Sequence, residues 1–220
     1  MMATERDEGL VRVPAGSAAL EGNLLIPAEA TGVVLFAHGS GSSRFSSRNR
    51  YVAQELRRGG LATLLIDLLT VQEEAVDVRT AHLRFDIDLL ADRLAGTIEW
   101  MSRQPSTSRL RVGLFGASTG GGAALVAAAR LPERVSAVVS RGGRPDLAGA
   151  ALPAVKAPAL LIVGGDDIPV IRMNQEAYDL MTCERRMEIV PGASHLFEEP
   201  GTLERVAELA RDWFVKHLHA

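Results

Sequence analysis

The stretch Val112–Ala128, VGLFGASTGGGAALVAA, constrains what this chain can fold into more than any other. The run from Arg111 to Phe115 is largely apolar and predicts a short buried strand. Gly116-Ala117-Ser118-Thr119-Gly120 matches G-x-S-x-G, and the Ala- and Gly-rich run after it predicts a helix packed closely on a sheet. Strand, sharp turn and helix together are the setting in which such a serine becomes a nucleophile. A turn this tight leaves no room for a Cβ at Gly116 or Gly120, and it lifts the Ser118 hydroxyl to the top of the sheet. It also aims the first N–H groups of the new helix at the reacting centre, where they stabilise an anion. By itself the five-residue pattern recurs by chance in about one chain in ten of this length, so the remainder of the sequence decides.

Buried strands alternate with amphipathic helices along the rest of the 220 residues. Leu10–Val13 and Ala18–Ile26, joined through Pro14-Ala15-Gly16, predict an N-terminal hairpin. Gly32–Ala37 (GVVLFA), Leu61–Ile66 (LATLLI), Val135–Ser140 and Ala159–Val163 (ALLIV) are continuous apolar runs, the kind buried on both faces of a parallel sheet. Arg186–Val190 is a shorter strand. Helices are predicted over 49–58, with Gly59-Gly60 as the stop, and over Leu83–Met101, where Leu83, Ile87, Leu90, Leu94, Ile98 and Met101 keep a three-to-four spacing. Two more are predicted near 171–181 and 202–218. Asp67–Thr80 is acidic and irregular and predicts a loop. The pattern implies one α/β domain over residues 1–220, a mostly parallel sheet flanked by helices on both faces. Too little chain lies between Ser140 and Ala159 for a large cap domain at that point.

Three residues with complementary chemistry stand in loops after successive strands, in the order Ser118, Asp167, His195. A serine hydroxyl attacks well only once a base takes its proton. His195, between the last strand and the last helix, is placed to be that base and to return the proton to the leaving group. A carboxylate fixes the imidazole tautomer and stabilises the imidazolium. Asp166 and Asp167 compete for that place. Asp167 sits one residue further from the strand end and is preferred; Asp166 reads as a solvated loop residue. The other histidines have plainer readings: His217 and His219 as solvated, His82 beside a helix cap, His38 bracing the Gly39 turn through hydrogen bonds. An oxyanion hole needs two preorganised N–H groups. The Thr119 amide is one candidate. The Ser40 amide, in His38-Gly39-Ser40-Gly41, is the other, with Gly41 a close alternative.

The pieces HGSGSS, GASTGGG, GGDDIPV and PGASHLF together resemble the α/β-hydrolase superfamily, whose triad follows the same Ser…Asp…His order. Within it the chain is similar to the small, cap-free dienelactone hydrolase-like group, over nearly its whole length. The resemblance implies the α/β-hydrolase fold and hydrolysis of a carboxylic ester or lactone through an acyl-enzyme, with no cofactor. One departure matters. Dienelactone hydrolases proper carry a cysteine nucleophile in the elbow, whereas this chain has Ser118, and Cys183 lies too late in the chain to stand in for it. A serine esterase of broader or different specificity is therefore the expectation. Acyl transfer to an alcohol, thiol or amine through the same triad is one rival reading; a non-catalytic binding module on the same fold is the other.

Composition narrows the partners. A net charge of −3 gives no electrostatic reason to expect a nucleic acid. The single cysteine, Cys183, excludes an internal disulfide and agrees with a reducing compartment. The opening MMATERDEGL lacks the apolar core of a signal peptide, and no apolar run reaches membrane-spanning length. A cytoplasmic protein acting on a small molecule is the expectation; nothing in the sequence specifies an oligomeric state. One cysteine and scattered histidines give no metal-ligand spacing, and the Gly-rich loops match neither the dinucleotide fingerprint nor the P-loop. Arg44, Arg48, Arg50, Arg141 and Arg144 follow strands at the active edge as candidate anion handles. Arg141 is the best placed, which points to a small carboxylate-bearing ester or lactone.

Overall fold

Short apolar runs buried on both faces set the frame. In the computed structural model, which describes residues 9–219, they form the centre of a set of eight strands: β1 (Gly9–Ala15), β2 (Ala18–Leu25), β3 (Gly32–Ala37), β4 (Leu61–Ile66), β5 (Arg111–Ala117), β6 (Val135–Arg141), β7 (Ala159–Gly164) and β8 (Arg185–Val190). They make one sheet in the order β1-β2-β4-β3-β5-β6-β7-β8. The β1–β2 hairpin is antiparallel and joins β4 antiparallel; every pairing from β4 through β8 is parallel. Strands β3, β4 and β7 are buried at every position, as a sheet covered on both sides requires. The charged stretch 1–8, weighed above as a targeting signal, lies outside the described residues.

The described residues form six α-helices: α1 (Ser47–Arg58), α2 (Val71–Thr80), α3 (Ile87–Arg103), α4 (Thr119–Arg130), α5 (Ile168–Leu180) and α6 (Thr202–Leu218), of which α1, α3, α4, α5 and α6 pack on the sheet. Alternation along β3 shows the two layers. Val33 and Leu35 join Leu90, Leu94, Ile98 and Leu125 of α3 and α4, whereas Val34 and Phe36 join Val52, Leu56, Val206 and Phe214 of α1 and α6. The α6 layer closes over a size complement. A Cβ at Gly113, in the middle of β5, would stand 2.6 Å from Phe214 Cε1, so the absent side chain makes room for the ring.

The structure corrects two local expectations. Residues 71–80 are helical, not loop. Thr70 Oγ1 accepts the Glu73 N–H at 3.2 Å while Glu73 Oε2 accepts the Thr70 N–H at 2.7 Å, a reciprocal cap that starts the helix despite its acidic composition. The helix expected over Leu83–Met101 breaks at Asp86. Leu83–Phe85 forms a 3-10 turn, and the Asp86 side chain then caps α3 by accepting the Leu89 N–H at 3.0 Å. Between β6 and β7 the chain winds through 3-10 turns over Pro145–Ala154, with Gly149 at a left-handed φ of 47°. No separate cap domain interrupts the described residues, and none of their helices is long and apolar enough to cross a membrane.

Because the Gly113 notch is filled by one ring, truncating that ring leaves a hole the strand cannot close. We expect Phe214→Ala to cost about 3–5 kcal/mol in urea unfolding, with the far-ultraviolet circular dichroism of the native state unchanged.

Candidate active site

The geometry of the site begins with a backbone that only glycines permit. A Cβ at Gly116 would sit 2.5 Å from the Gly120 carbonyl oxygen, and one at Gly120 would run into the carbonyl oxygens of Ala37 and His38. The start of α4 is thus pressed against the ends of both β5 and β3. Ser118, between them, takes φ 50° and ψ −123°, a conformation costing roughly 1–3 kcal/mol for a residue with a Cβ. The next ten residues, Thr119–Ala128, are all buried and hold the turn in place.

Asp167 and His195 follow the carboxyl ends of β7 and β8, which run parallel to β5 at one side of the sheet. Asp167 is the residue before α5, and its side chain caps nothing. Its Oδ2 instead accepts the His195 Nδ1–H at 2.7 Å. That pairing fixes the tautomer and leaves Nε2 as the free base. Asp166, the rival carboxylate, is exposed, and its backbone N–H donates to the Ala193 carbonyl at 3.0 Å. The His195 loop is itself pinned: the Ser194 N–H donates to Glu199 Oε2 at 3.0 Å. A Cβ at Gly164 would meet the Ala193 and Ser194 carbonyl oxygens, so the loop lies directly on the end of β7.

Ser118, Ser40, Arg141 and His195 line one pocket of about 240 Å³, with Arg48, Asn49 and Leu196 completing much of its wall. Thr119 and Ser40 are brought together as well, in a way the sequence does not reveal. The Ser40 N–H donates to Thr119 Oγ1 at 3.0 Å, so this amide is engaged by a neighbouring side chain of the same chain. A Cβ at Gly39 would stand 3.0 Å from Ser118 Cβ, which places the loop after β3 beside Ser118.

The arginines divide sharply. Arg44 is structural, bound to Asp67, Glu21 and Asn23, and Arg144 pairs with Asp146 at 2.8 Å. Arg50 is exposed. Arg141 is buried in the pocket wall, makes no ion pair among the described residues, and donates from Nη2 to Asn49 Oδ1 at 3.1 Å. Its Nε has no partner. Burial, with the nearby Arg48 charge, pushes its guanidinium down to about 10, a measure of how poorly the charge is compensated. Asn49 is the participant that sequence reasoning missed; an ordinary helical asparagine carries no signal that it will turn inward to orient an arginine. Among the described residues no group of three or more His, Cys, Asp or Glu side chains is placed to hold a metal ion.

The remaining histidines stand apart from this pocket. His82 and His219 are exposed. His217, expected to be solvated, instead packs on Trp213 with ring centroids 4.6 Å apart, and burial lowers its basicity. His38 braces the loop after β3 as expected: Nδ1–H donates to the Gly39 carbonyl at 2.9 Å and Nε2 accepts the Leu68 N–H at 3.1 Å.

Comparison with known proteins agrees with this architecture. A model of the dienelactone hydrolase family matches residues 20–217. The crystal structure of a dienelactone hydrolase from Anabaena variabilis is 63% identical in sequence, covers 98% of this chain and 99% of its own, and superposes with a TM-score of 0.96. Est1E from Butyrivibrio proteoclasticus, 14% identical, shares the fold at a TM-score of 0.78 over 94% of this chain and 98% of its own. Two Mycobacterium tuberculosis proteins provisionally named phosphoribosyl transferase are 57% identical over 213 residues, 97% of this chain and 47% of theirs. The chain therefore spans about half the length of the curated relatives it matches.

The His38 hydrogen bonds require a neutral ring, and burial, outweighing the opposing pull of the Gly39 carbonyl, Asp67 and Glu74, holds its pKa below the ordinary 6.5. The stability it contributes is complete above pH 6.5, where the unfolded chain is also neutral, and is lost as pH falls toward the lowered native value. We expect urea-unfolding stability to decline over that window. His38→Ala should cost about 1–3 kcal/mol at pH 8 and flatten the decline.

Proposed function

The chain belongs to the dienelactone hydrolase family, and from that premise we propose that it is a serine hydrolase cleaving a carboxylic ester or lactone through an acyl-enzyme on Ser118. The observation that carries the reading is the His195–Asp167 hydrogen bond beside a serine held at positive φ, with Ser118 and His195 on one pocket. In this mechanism His195 Nε2 takes the Ser118 proton as Oγ bonds to the substrate carbonyl carbon. Asp167 steadies the imidazolium. The carbonyl oxygen, now an anion, takes the Thr119 N–H at the start of α4 and displaces the Thr119 hydroxyl from the Ser40 N–H. Collapse expels the alcohol, which takes the proton from His195. A water then gives its proton to His195 as it attacks the acyl carbon, and collapse of this second intermediate breaks the bond to Ser118 Oγ, which takes the proton back from His195 as the acid leaves.

Arg141 supports a further detail. A buried guanidinium with no carboxylate partner, facing the same pocket as Ser118, is suited to a carboxylate on the substrate. We therefore favour a small carboxylate-bearing ester or lactone. The transferase name of the longer mycobacterial relatives is not carried over: a half-buried serine at a tight strand-to-helix turn with a His–Asp pair suits acyl chemistry, and the Gly-rich loops match neither the dinucleotide fingerprint nor the P-loop.

A serine-directed fluorophosphonate should label Ser118 and no other residue by mass spectrometry, and Ser118→Ala should abolish labelling. Absence of both labelling and ester turnover in the folded protein would return the binding-module reading to the front. With an active ester in hand, Asp167→Asn should lower kcat by about a thousand- to ten-thousand-fold. Arg141→Gln should lower kcat/KM on an anionic ester by about tenfold or more relative to a neutral ester of the same size. Equal wild-type rates on the two esters would remove the anionic substrate from the proposal.

A further inference from the structure

Helix α2 buries a single side chain, and it is a charged one, Asp77. The Asp77 carboxylate accepts the Leu83 and Arg84 N–H groups at 2.6 and 3.2 Å and pairs with the Arg84 guanidinium. Glu73, besides closing the cap, pairs with Arg93 of α3 at 2.6 Å. The attachment of the helix is polar, and its apolar residues are left over. Val71, Ala75 and Val78 fall at i, i+4 and i+7, one helical stripe. Such a stripe ordinarily faces a core, yet Val71 is 72% exposed and Val78 68%.

The stripe forms one wall of a trench of about 730 Å³, within the range of small-molecule sites. Segment 41–46 is the opposite wall and presents Phe45, 59% exposed. Leu69 and His38 line it between the two. The 41–46 wall is also fixed by polar contacts: the Arg44 N–H donates to Asp67 Oδ1 at 2.6 Å, its Nε to Asn23 Oδ1 at 3.0 Å, and its Nη2 pairs with Glu21 at 2.8 Å. Neither wall depends on its apolar side chains for its place. The trench adjoins the Ser118 pocket, for Ser42 and Ser46 line both.

We propose that this trench is the subsite for an apolar part of the substrate, an alkyl chain of medium length carried by the ester that Ser118 attacks. The inference rests on the hydrolase reading and extends it. The substrate then has two ends, an anionic group at Arg141 and an alkyl group along α2. Continuity with the nucleophile's pocket selects this occupant, because a chain leaving the reacting carbon past Ser42 and Ser46 enters the trench directly.

Ethyl and octyl alkylphosphonofluoridates test it, each losing fluoride as Ser118 Oγ bonds to phosphorus. The readout is the rate of Ser118 modification by mass spectrometry. The octyl probe should label at least about tenfold faster than the ethyl probe, well within what burying the added methylenes supplies. Val78→Asp should cut that ratio by about tenfold. Val76→Asp, on the same helix but off the trench, should leave the ratio as it is. A ratio near one, or one unmoved by Val78→Asp, overturns the proposal while labelling at Ser118 keeps the hydrolase reading standing. No labelling by either probe overturns the hydrolase reading and this inference with it. A second copy of the chain covering the stripe would appear in sedimentation as a dimer that Val78→Asp dissociates without moving the ratio, and that result overturns the proposal as well.

Discussion

Three backbones meet at one point in this protein, and the meeting is possible only without side chains. The end of β3, the end of β5 and the first turn of α4 come within contact at Gly39, Gly116 and Gly120. Everything in the pocket follows from that approach. It forces Ser118 to a positive φ, it sets the Ser40 amide against the Thr119 hydroxyl, and it starts α4 immediately after Ser118. The strain at Ser118 is of the order of 1–3 kcal/mol. The buried run Thr119–Ala128, packed between the sheet, α3 and the 3-10 turns, outweighs it.

Polar contacts do a different job. Away from the central strands, ionic and cap hydrogen bonds fix the pieces that burial alone leaves loose: Arg44 anchors the loop after β3, Asp77 anchors α2, and Glu199 holds the turn that carries His195. Arg141 is the exception. It is buried, and among the described residues its only side-chain acceptor is the neutral Asn49. An uncompensated cation in a pocket wall is costly to fold, which is the physical reason to look for its counter-ion in a ligand.

Much of this architecture was legible in the sequence because parallel strands buried on both faces cannot hide. Gly32–Ala37 and Leu61–Ile66 begin and end where their apolar runs do. The chain order Ser118, Asp167, His195 placed three groups at the same sheet edge before any distance was available. Helix α2 escaped notice because its apolar stripe turns away from the core, leaving acidic composition as the dominant signal; the Thr70-x-x-Glu73 cap was readable and is what marks its start. The fates of the arginines were legible only in part. Its place at the end of a strand singles out Arg141, but nothing in the sequence shows that Asp67 and Glu21 fold against Arg44 and tie it into the structure. The engaged Ser40 amide is of the same kind, since its acceptor lies 79 positions away.

The way α2 is fastened also bears on how the molecule meets salt. Screening acts on charges that face water, and the ties of this helix are withdrawn from it: the Asp77 carboxylate is wholly buried and Arg93 nearly so. Sulfate and similar salts strengthen apolar burial in the sheet and its covering helices. A helix held by polar contacts therefore keeps its place in concentrated salt alongside a core held by apolar ones.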